Sequence, residues 1–290
     1  ELIASLSDSH TKLYAQIDGV SHRFQSGLGT TLNLVRDQNI EQQWLQGLVT
    51  QTLDKVLLPT GEHTANERVL WGRLDNKIGY IQIFTMGGFT TEHKPGTQAW
   101  ANAETAYFDE LMTRILTELS NTDALILDLS NNRGGYDVIA RQLASYFTHA
   151  EFKAYQVKNE LDGPVLRTYS ISPSKSVHYP KPVYLLTSDV TVSGGEIATI
   201  SLKQLTNVTH VGTTTRGSFS TPLAKPLPNG WYLELSNELF VDMSGTTHEG
   251  SGVTPDIELT VYAAGSPIDS HATCLRELRK LIKEQTNKSD

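Results

Sequence analysis

The stretch ALILDLSNNRGGYD, residues Ala124 to Asp137, contains the pattern that decides the fold of this chain. Its first six residues form a short, nearly continuous apolar run, which is typical of a strand buried on both faces of a sheet. A polar turn with two adjacent glycines follows, and the next segment, Val138 to Phe147, has the apolar spacing of a helix. The stretch therefore predicts one strand–turn–helix unit of an α/β protein.

The same pattern recurs on both sides of this unit. Downstream, the apolar run Val183 to Leu186 precedes a predicted helix, Glu196 to Leu205, and a short strand, Val208 to Val211. Upstream, Lys77 to Phe84 alternates as a half-buried strand, and Ala106 to Leu119 has the periodicity of an amphipathic helix. Strands that alternate with helices of this length indicate βαβ units around a largely parallel sheet.

The segments outside this core are of mixed type. Gln42 to Leu58 and Ser270 to Glu284 have helical spacing, and the opening ELIASLSDSH also suggests a helix. The turn Pro228-Asn229-Gly230 predicts a β-hairpin, whereas Thr85 to Ala101 is predicted as a long polar connection. We expect three parts: an N-terminal helical or cap segment (1–68), an α/β core (69–262) and a C-terminal helix (263–290).

Composition excludes several functional classes. The chain has 290 residues, 38% of them hydrophobic, which is enough to form a sizeable core. Its net charge is −8 and it has no run of Lys or Arg, which argues against nucleic acid and anionic membrane surfaces as partners. It has no apolar run of about 18 residues that would span a membrane. The single cysteine, Cys274, excludes an internal disulfide and a cysteine metal cluster.

Ser193 is the first residue that has the setting of a nucleophile. It lies between a predicted strand and a predicted helix, where the helix dipole is positive, and the N–H of Gly194 could donate to an oxyanion. However, Ser193 and Glu196 also fit the capping box S-x-x-E. Taken alone, this stretch favours a helix cap.

Three further motifs carry residues that could take part in the same chemistry. The adjacent Gly134 and Gly135 can present free N–H groups to an anion. His10, next to Ser9, could be a general base. Glu249, in EGSGVTPDIEL, could orient another group. Taken alone, each of these motifs also fits a structural role, such as a glycine turn, an ordinary histidine or a proline turn.

Taken together and in order, six motifs of this chain resemble one family. LSDSHT, IGYIQI, LILDLSNNRGG, TVSGGE, GTTTRGS and GVTPDI, between Leu6 and Leu259, resemble the motifs of the tail-specific or C-terminal processing peptidases. The tricorn core protease and the interphotoreceptor retinoid-binding modules are relatives of that family. The resemblance implies a crotonase-like ββα core and hydrolysis of peptides or unfolded tail segments, without a metal or organic cofactor.

One departure from the family pattern changes the expected base. The processing peptidases have a lysine in GxxTxGK, and here that position is occupied by Ser218. The nearby Arg216 does not give up its proton, so it does not replace the lysine. The tricorn branch resembles this chain more closely, because it has a Ser-His-Ser-Glu set. The matching residues are Ser193 as nucleophile, His10 as base, and Ser9 and Glu249 as its partners. The resemblance also implies an oxyanion hole from Gly194 with Gly134 or Gly135.

Other functions remain open at this point. Relatives of this fold include non-catalytic proteins that bind small apolar ligands, and a fold by itself does not determine function. A peptidase could also use a displaced lysine, Lys203 or Lys225, and a structural role is a further alternative. The PDZ module of the family is expected to be absent, because too few residues separate Thr11 from Lys77. The resemblance favours the bacterial envelope over the cytoplasm as location.

Overall fold

The computed structural model of the chain describes residue 3 and residues 8–286. Most of the helix predicted for the opening ELIASLSDSH lies outside these residues. Among the described residues, no helix is both long enough and apolar enough to span a bilayer. Along the chain the elements are β1 (Lys12–Ile17), β2 (Val20–Gln25), α1 (Gly29–Asp37), α2 (Glu41–Gln51), β3 (Glu62–Thr64), β4 (Val69–Arg73), β5 (Ile78–Ile83), α3 (Gln98–Glu118), β6 (Ala124–Asp128), α4 (Asp137–Ser145), β7 (Phe152–Lys158), β8 (Val165–Ile171), β9 (Val183–Thr187), α5 (Gly194–Leu202), β10 (Val208–Gly212), β11 (Pro222–Pro226), β12 (Tyr232–Ser236), β13 (Leu239–Val241), β14 (Ile257–Glu258) and α6 (Pro267–Thr286).

A seven-stranded sheet in the order β14-β10-β9-β6-β5-β4-β3 forms the centre of the protein. Its strands are parallel from β14 to β5, and β4 and β3 are antiparallel to their neighbours. The prediction of an α/β protein with parallel strands is therefore confirmed.

Helices cover both faces of this sheet, which explains why its central strands are largely apolar. Leu125 and Leu127 of β6 pack into one cluster with residues of α3, α4 and α5. Ile126 points to the opposite face and packs with residues of α2 and α6. Because successive side chains of a strand point to opposite faces, a strand covered on both sides needs apolar residues at every position.

The register of β6 and β9 determines where the site forms. The two strands are parallel neighbours, with Leu125 opposite Val183 and Asp128 opposite Leu186. Because their carboxyl ends meet at one edge of the sheet, the turns that follow them also meet there. One turn contains Gly134 and Gly135, and the other ends at Ser193.

A second, antiparallel sheet has the order β11-β12-β1-β2. The predicted hairpin is confirmed in its β11 and β12 strands. The expectation that segment 1–68 is helical is wrong for β1 and β2, although α1 and α2 lie in the same segment. The turn between β1 and β2 is Asp18-Gly19, where both residues have positive φ (51° and 78°). Asp-Gly at such a turn is a strong hairpin signal, and the helical interpretation overlooked it.

Other boundaries also differ from the sequence-based expectation. The helix predicted over Gln42 to Leu58 is α-helical only to Gln51 and then continues as a π-helical turn, Thr52–Val56. Helix α3 begins at Gln98, within the expected connection, because the Thr97 hydroxyl accepts the Trp100 N–H at 3.2 Å. A small antiparallel sheet, β13-β7-β8, was not predicted.

Asp128, at the end of β6, links the sheet to the C-terminal helix. Its carboxylate is fully buried and accepts hydrogen bonds from the Tyr80 hydroxyl and from Nε2 of His271 in α6, both at 2.7 Å. It also accepts the Ser130 N–H at 2.8 Å. These hydrogen bonds replace the ones that the carboxylate would make with water. Without the carboxylate its three buried donors would lack an acceptor, and without the donors the buried charge would be unpaired.

Replacing Asp128 by Ala should therefore lower the free energy of unfolding by about 3–5 kcal/mol, because it leaves buried partners without an acceptor. Urea unfolding followed by circular dichroism measures this. Asp123→Ala is the matched control. Asp123 pairs with Lys77 at 3.0 Å on the surface, and such pairs contribute about 0–1 kcal/mol. Equal losses in the two variants would contradict the role assigned to Asp128.

Candidate active site

Ser193 lies in a strained turn between β9 and α5. Its backbone has φ 57° and ψ −121°, a conformation that costs a residue with a side chain about 1–3 kcal/mol. The predicted capping box with Glu196 is present, and in it the Ser193 N–H donates to the Glu196 carboxylate at 3.2 Å. The Ser193 hydroxyl makes no cap hydrogen bond of good geometry. The serine therefore begins the helix while its hydroxyl stays available for other chemistry.

The carboxylate of Glu196 holds this turn in place. It is fully buried and accepts the Thr215 hydroxyl and the Gly217 N–H on one oxygen, both at 2.6 Å. The other oxygen accepts the N–H groups of Ser218, at 2.8 Å, and Ser193. Burial raises the pKa of Glu196 above its usual value, and these hydrogen bonds oppose part of that rise. Three of the four donors are backbone N–H groups, which cannot accept a hydrogen bond from a protonated carboxyl, so the arrangement fits the ionised carboxylate.

Ser218, at the position where the processing peptidases have lysine, joins the two halves of the site. Its carbonyl accepts the Ser193 N–H at 3.0 Å. Its hydroxyl accepts the Ser9 N–H at 3.2 Å. One residue thus connects the turn of the candidate nucleophile with the segment that carries His10.

Asp8 shapes the segment before β1, and it was not among the residues predicted for the site. Its carboxylate accepts the His10 N–H at 2.8 Å, and it accepts the hydroxyls of Thr11 and of Ser236 in β12 at 2.6 and 2.8 Å. An Asp that bonds the backbone two residues on is a common turn device, so the D-S-H-T sequence carried a usable signal.

His10 and Ser193 line one cavity of about 190 Å³. The His10 side chain is 7% exposed, and its Nδ1 has no hydrogen-bond partner among the described residues. Burial, assisted by the charge of Lys12, lowers the pKa of His10 to about 4, against the opposing effect of Asp8. The imidazole is therefore neutral at pH 7 and able to accept a proton.

Glu249 does not line this cavity. One of its oxygens accepts the N–H groups of Phe219 and Ser220, at 3.0 and 3.2 Å, directly after Ser218. The other oxygen is buried without a partner among the described residues, and burial raises the pKa of Glu249 to about 7. Within the described part of the chain, no hydrogen bond joins Glu249, the Ser9 hydroxyl and the His10 ring.

The glycine loop after β6 packs against the Ser193 turn. A Cβ on Gly134 would lie 2.7 Å from the Cβ of Ser193, and a Cβ on Gly194 would lie 3.1 Å from the carbonyl of Gly135. The Gly134 N–H donates to Asn132 at 2.9 Å. The N–H groups of Gly135 and Gly194 have no acceptor among the described residues. These two donors are therefore free to bind an oxyanion.

The two lysines considered as displaced bases lie elsewhere. Lys203 pairs with Asp256 at 2.5 Å, and Lys225 lies in the exposed strand β11. Neither lines the cavity with Ser193, whereas Lys12 does, with its ammonium bonded to Glu234 at 2.9 Å. In the described ranges, no group of three or more His, Cys, Asp or Glu side chains is arranged to hold a metal ion.

Comparison with known proteins gives one family match and two curated relatives. The family model described as Peptidase family S41 matches residues 77–259. The carboxy-terminal processing protease CtpA of Bacillus subtilis (strain 168) is 26% identical over 201 residues, which are 69% of this chain and 39% of CtpA. CtpB of the same strain is 22% identical over 228 residues, 78% of this chain and 41% of CtpB. The chain thus spans about two fifths of the length of these relatives.

Solved structures share the fold at low sequence identity. A candidate peptidase from Parabacteroides merdae ATCC 43184 matches with a TM-score of 0.71 and 18% identity, over 97% of this chain and 79% of that one. Mature CPAF complexed with lactacystin matches with a TM-score of 0.65 and 18% identity, over 97% of this chain and 69% of that one. At such identities the likeness concerns the fold alone.

The strain at Ser193 can be measured directly. Because glycine adopts positive φ without a steric clash, Ser193→Gly should be more stable than Ser193→Ala by about 1 kcal/mol in urea unfolding. The same pair of substitutions at Ser201, inside α5, should show the opposite order by about 1 kcal/mol. Greater stability of the alanine variant at position 193 would contradict the strained conformation.

Proposed function

The chain belongs to peptidase family S41, and from that premise we propose that it is a serine peptidase with Ser193 as nucleophile and His10 as general base. Ser193 Oγ attacks the carbonyl carbon of a peptide bond while His10 takes the hydroxyl proton and then gives it to the leaving amine. Water then hydrolyses the acyl-enzyme by the same route. The observation that carries the proposal is the shared cavity of a strained serine and a neutral, buried histidine.

Stabilisation of the tetrahedral oxyanion is assigned to the N–H groups of Gly135 and Gly194. Both lack an acceptor among the described residues, and Gly194, the first residue of α5, packs against Gly135. One such donor typically lowers the barrier by about 3–4 kcal/mol. Gly134, the third glycine of the expected oxyanion hole, keeps the loop close to Ser193, since any larger residue would collide with that serine. The N-terminal end of α5 adds positive potential at the same place.

Ser9 and Glu249 are proposed to orient the imidazole and to stabilise its charged form. Ser9 is adjacent to His10 in the chain, and Glu249 has a buried oxygen without a partner among the described residues. A neighbouring carboxylate raises the pKa of a histidine, which would bring that of His10 from about 4 towards the range of an effective base. This role requires Glu249 to be ionised.

The wider setting of the activity is part of the same proposal. We assign a crotonase-like core to the α/β fold, peptides or unfolded tails as substrates, and the bacterial envelope as the location. The support for these assignments is the ordered set of motifs from Leu6 to Leu259 and its resemblance to the processing peptidases. The acidic chain, with a net charge of −8, is a poor partner for nucleic acid.

Ser193→Ala and His10→Ala should each reduce the hydrolysis of fluorescently labelled, unfolded casein by about 10⁴-fold or more, because each removes a member of one catalytic unit. His22→Ala changes an exposed histidine of β2 and serves as the control, with unchanged activity. Retention of full activity in either of the first two variants would exclude the assignment.

The proposal also predicts the pH dependence of kcat/KM. The reaction needs neutral His10, with a pKa of about 4, and ionised Glu249, with a pKa of about 7. The rate should therefore rise with pH up to a plateau above pH 7. In Glu249→Gln the plateau should be lower and the rise near pH 7 should disappear. An unchanged profile in this variant would contradict the role of Glu249, and a rise only above about pH 9 would contradict histidine as the base.

A further inference from the structure

We infer that Asn132 is a positioning residue of the oxyanion hole: its side chain determines that the N–H of Gly135, and not that of Gly134, is presented to the oxyanion. This inference rests on the proposed peptidase function and adds a residue to its machinery. The sequence allows either glycine to be the donor, because the two are adjacent and equally free in conformation. The contacts of Asn132 distinguish between them.

Asn132 lies in the loop after β6 and connects this loop with the centre of the protein. Its side chain is fully buried. Its Nδ2 donates to the carbonyl of Ile83, the last residue of β5, at 2.8 Å. Its backbone carbonyl accepts the N–H of Val192, the residue before Ser193, at 3.2 Å. The loop is therefore bound both to the central sheet and to the turn of the candidate nucleophile.

The other end of the amide binds the first glycine. Oδ1 of Asn132 accepts the Gly134 N–H at 2.9 Å. A side-chain oxygen that accepts the N–H two residues on is a common turn device of Asn. The orientation of the amide is assigned from its partners, because the Ile83 carbonyl needs a donor and the Gly134 N–H needs an acceptor. The Gly134 N–H is thus already engaged and cannot bind an oxyanion.

The second glycine keeps its N–H free in a fixed direction. The Gly134 carbonyl accepts the Met86 N–H, and the Met86 carbonyl accepts the Tyr136 N–H, both at 2.7 Å. In a planar trans peptide the C=O and the N–H point in opposite directions. Because the Gly134 carbonyl is directed at the Met86 N–H, the Gly135 N–H of the same peptide unit points away from that group. It has no acceptor among the described residues.

The amide of Asn132 also contacts the start of α5, which carries the second donor. A Cβ on Gly195 would lie 2.6 Å from Oδ1 of Asn132, so a larger residue there would collide with the amide. Gly194, whose N–H is the second donor of the hole, directly precedes Gly195. One side chain therefore sets the position of the glycine loop by a hydrogen bond and contacts the end of α5 by packing.

Loss of this side chain would disturb the hole in a specific way. The Gly134 N–H and the Ile83 carbonyl would both lose their partner, and buried groups without a partner are costly. The loop would then shift, and the Gly135 N–H would lose its alignment. Removal of one oxyanion donor typically lowers kcat by about 10²–10³-fold. KM should change little, because the donor acts on charge that develops only in the transition state.

Hydrolysis of labelled, unfolded casein by Asn132→Ala tests the inference. We expect kcat to fall by about 10²-fold or more, with KM within about threefold of the wild type. Labelling of Ser193 by a fluorophosphonate should slow by a similar factor, because the phosphoryl oxygen needs the same donors. In Asn132→Ser the hydroxyl can still accept the Gly134 N–H, although more weakly. This variant should therefore be at least about tenfold faster than Asn132→Ala in both assays.

Asn131→Ala is the matched control. Asn131 lies in the same loop and is only 1% exposed, but its Oδ1 accepts Nε of Arg133 at 2.9 Å instead of a glycine N–H. Its kcat and labelling rate should stay within about threefold of the wild type. Equal losses in the alanine variants of Asn131 and Asn132, a change in KM alone, or an unchanged kcat in Asn132→Ala would overturn the inference.

Circular dichroism shows whether each variant is folded. If Asn132→Ala is not folded, Asn132→Ser decides. A fall of its kcat and labelling rate by at least about fivefold, with KM unchanged, supports the role of Asn132, and rates equal to those of the wild type overturn it.

The outcomes also separate this inference from the proposed function. Cleavage of casein by the wild type and equally by folded Asn132→Ala supports the peptidase and overturns the role of Asn132. If the wild type does not cleave casein but is labelled at Ser193, the labelling rates of the variants decide the role of Asn132. If the wild type is neither active nor labelled, the proposed function is contradicted and the inference is overturned with it.

Discussion

The buried carboxylate of Glu196 is the interaction on which the candidate site depends. It receives hydrogen bonds from Ser193, Thr215, Gly217 and Ser218, and so binds the strained turn at Ser193 to a loop more than twenty residues after that serine. Such a conformation at Ser193 persists only where the surroundings enforce it. Through Ser218 the same connection reaches Ser9, and thereby places His10 in the cavity of Ser193.

The core of the fold could be predicted from sequence because its signals are strong. The apolar run in ALILDL follows from the burial of β6 on both faces, and the two strand–turn–helix units around it were recognised. The strands β7 and β8 were missed, since β8 is largely exposed and shows no alternation. The Asp18-Gly19 pair is a sequence signal for the hairpin of β1 and β2. The N-terminal segment was interpreted as helical instead, so this signal was not used.

The candidate site was predictable only in part. The proximity of Ser193 and the glycine loop follows from local pattern, because parallel strands bring their carboxyl-end turns together. The S-x-x-E pattern correctly predicted the capping box, yet it did not show that Glu196 also binds the loop at Thr215 to Ser218. The role of Ser218 depends on contacts between segments far apart in the chain, for which no local pattern exists. The family resemblance supplied His10, Ser9 and Glu249.

The central claim is that the turn held by Glu196 presents a reactive Ser193 to a neutral His10. Reaction of the intact protein with a fluorophosphonate, followed by peptide mapping with mass spectrometry, tests it most directly. The account predicts one modified residue, Ser193, and a labelling rate that falls by about 10³-fold or more when His10 is replaced by Ala. Modification of another residue, no modification of Ser193, or an unchanged rate without His10 would contradict it.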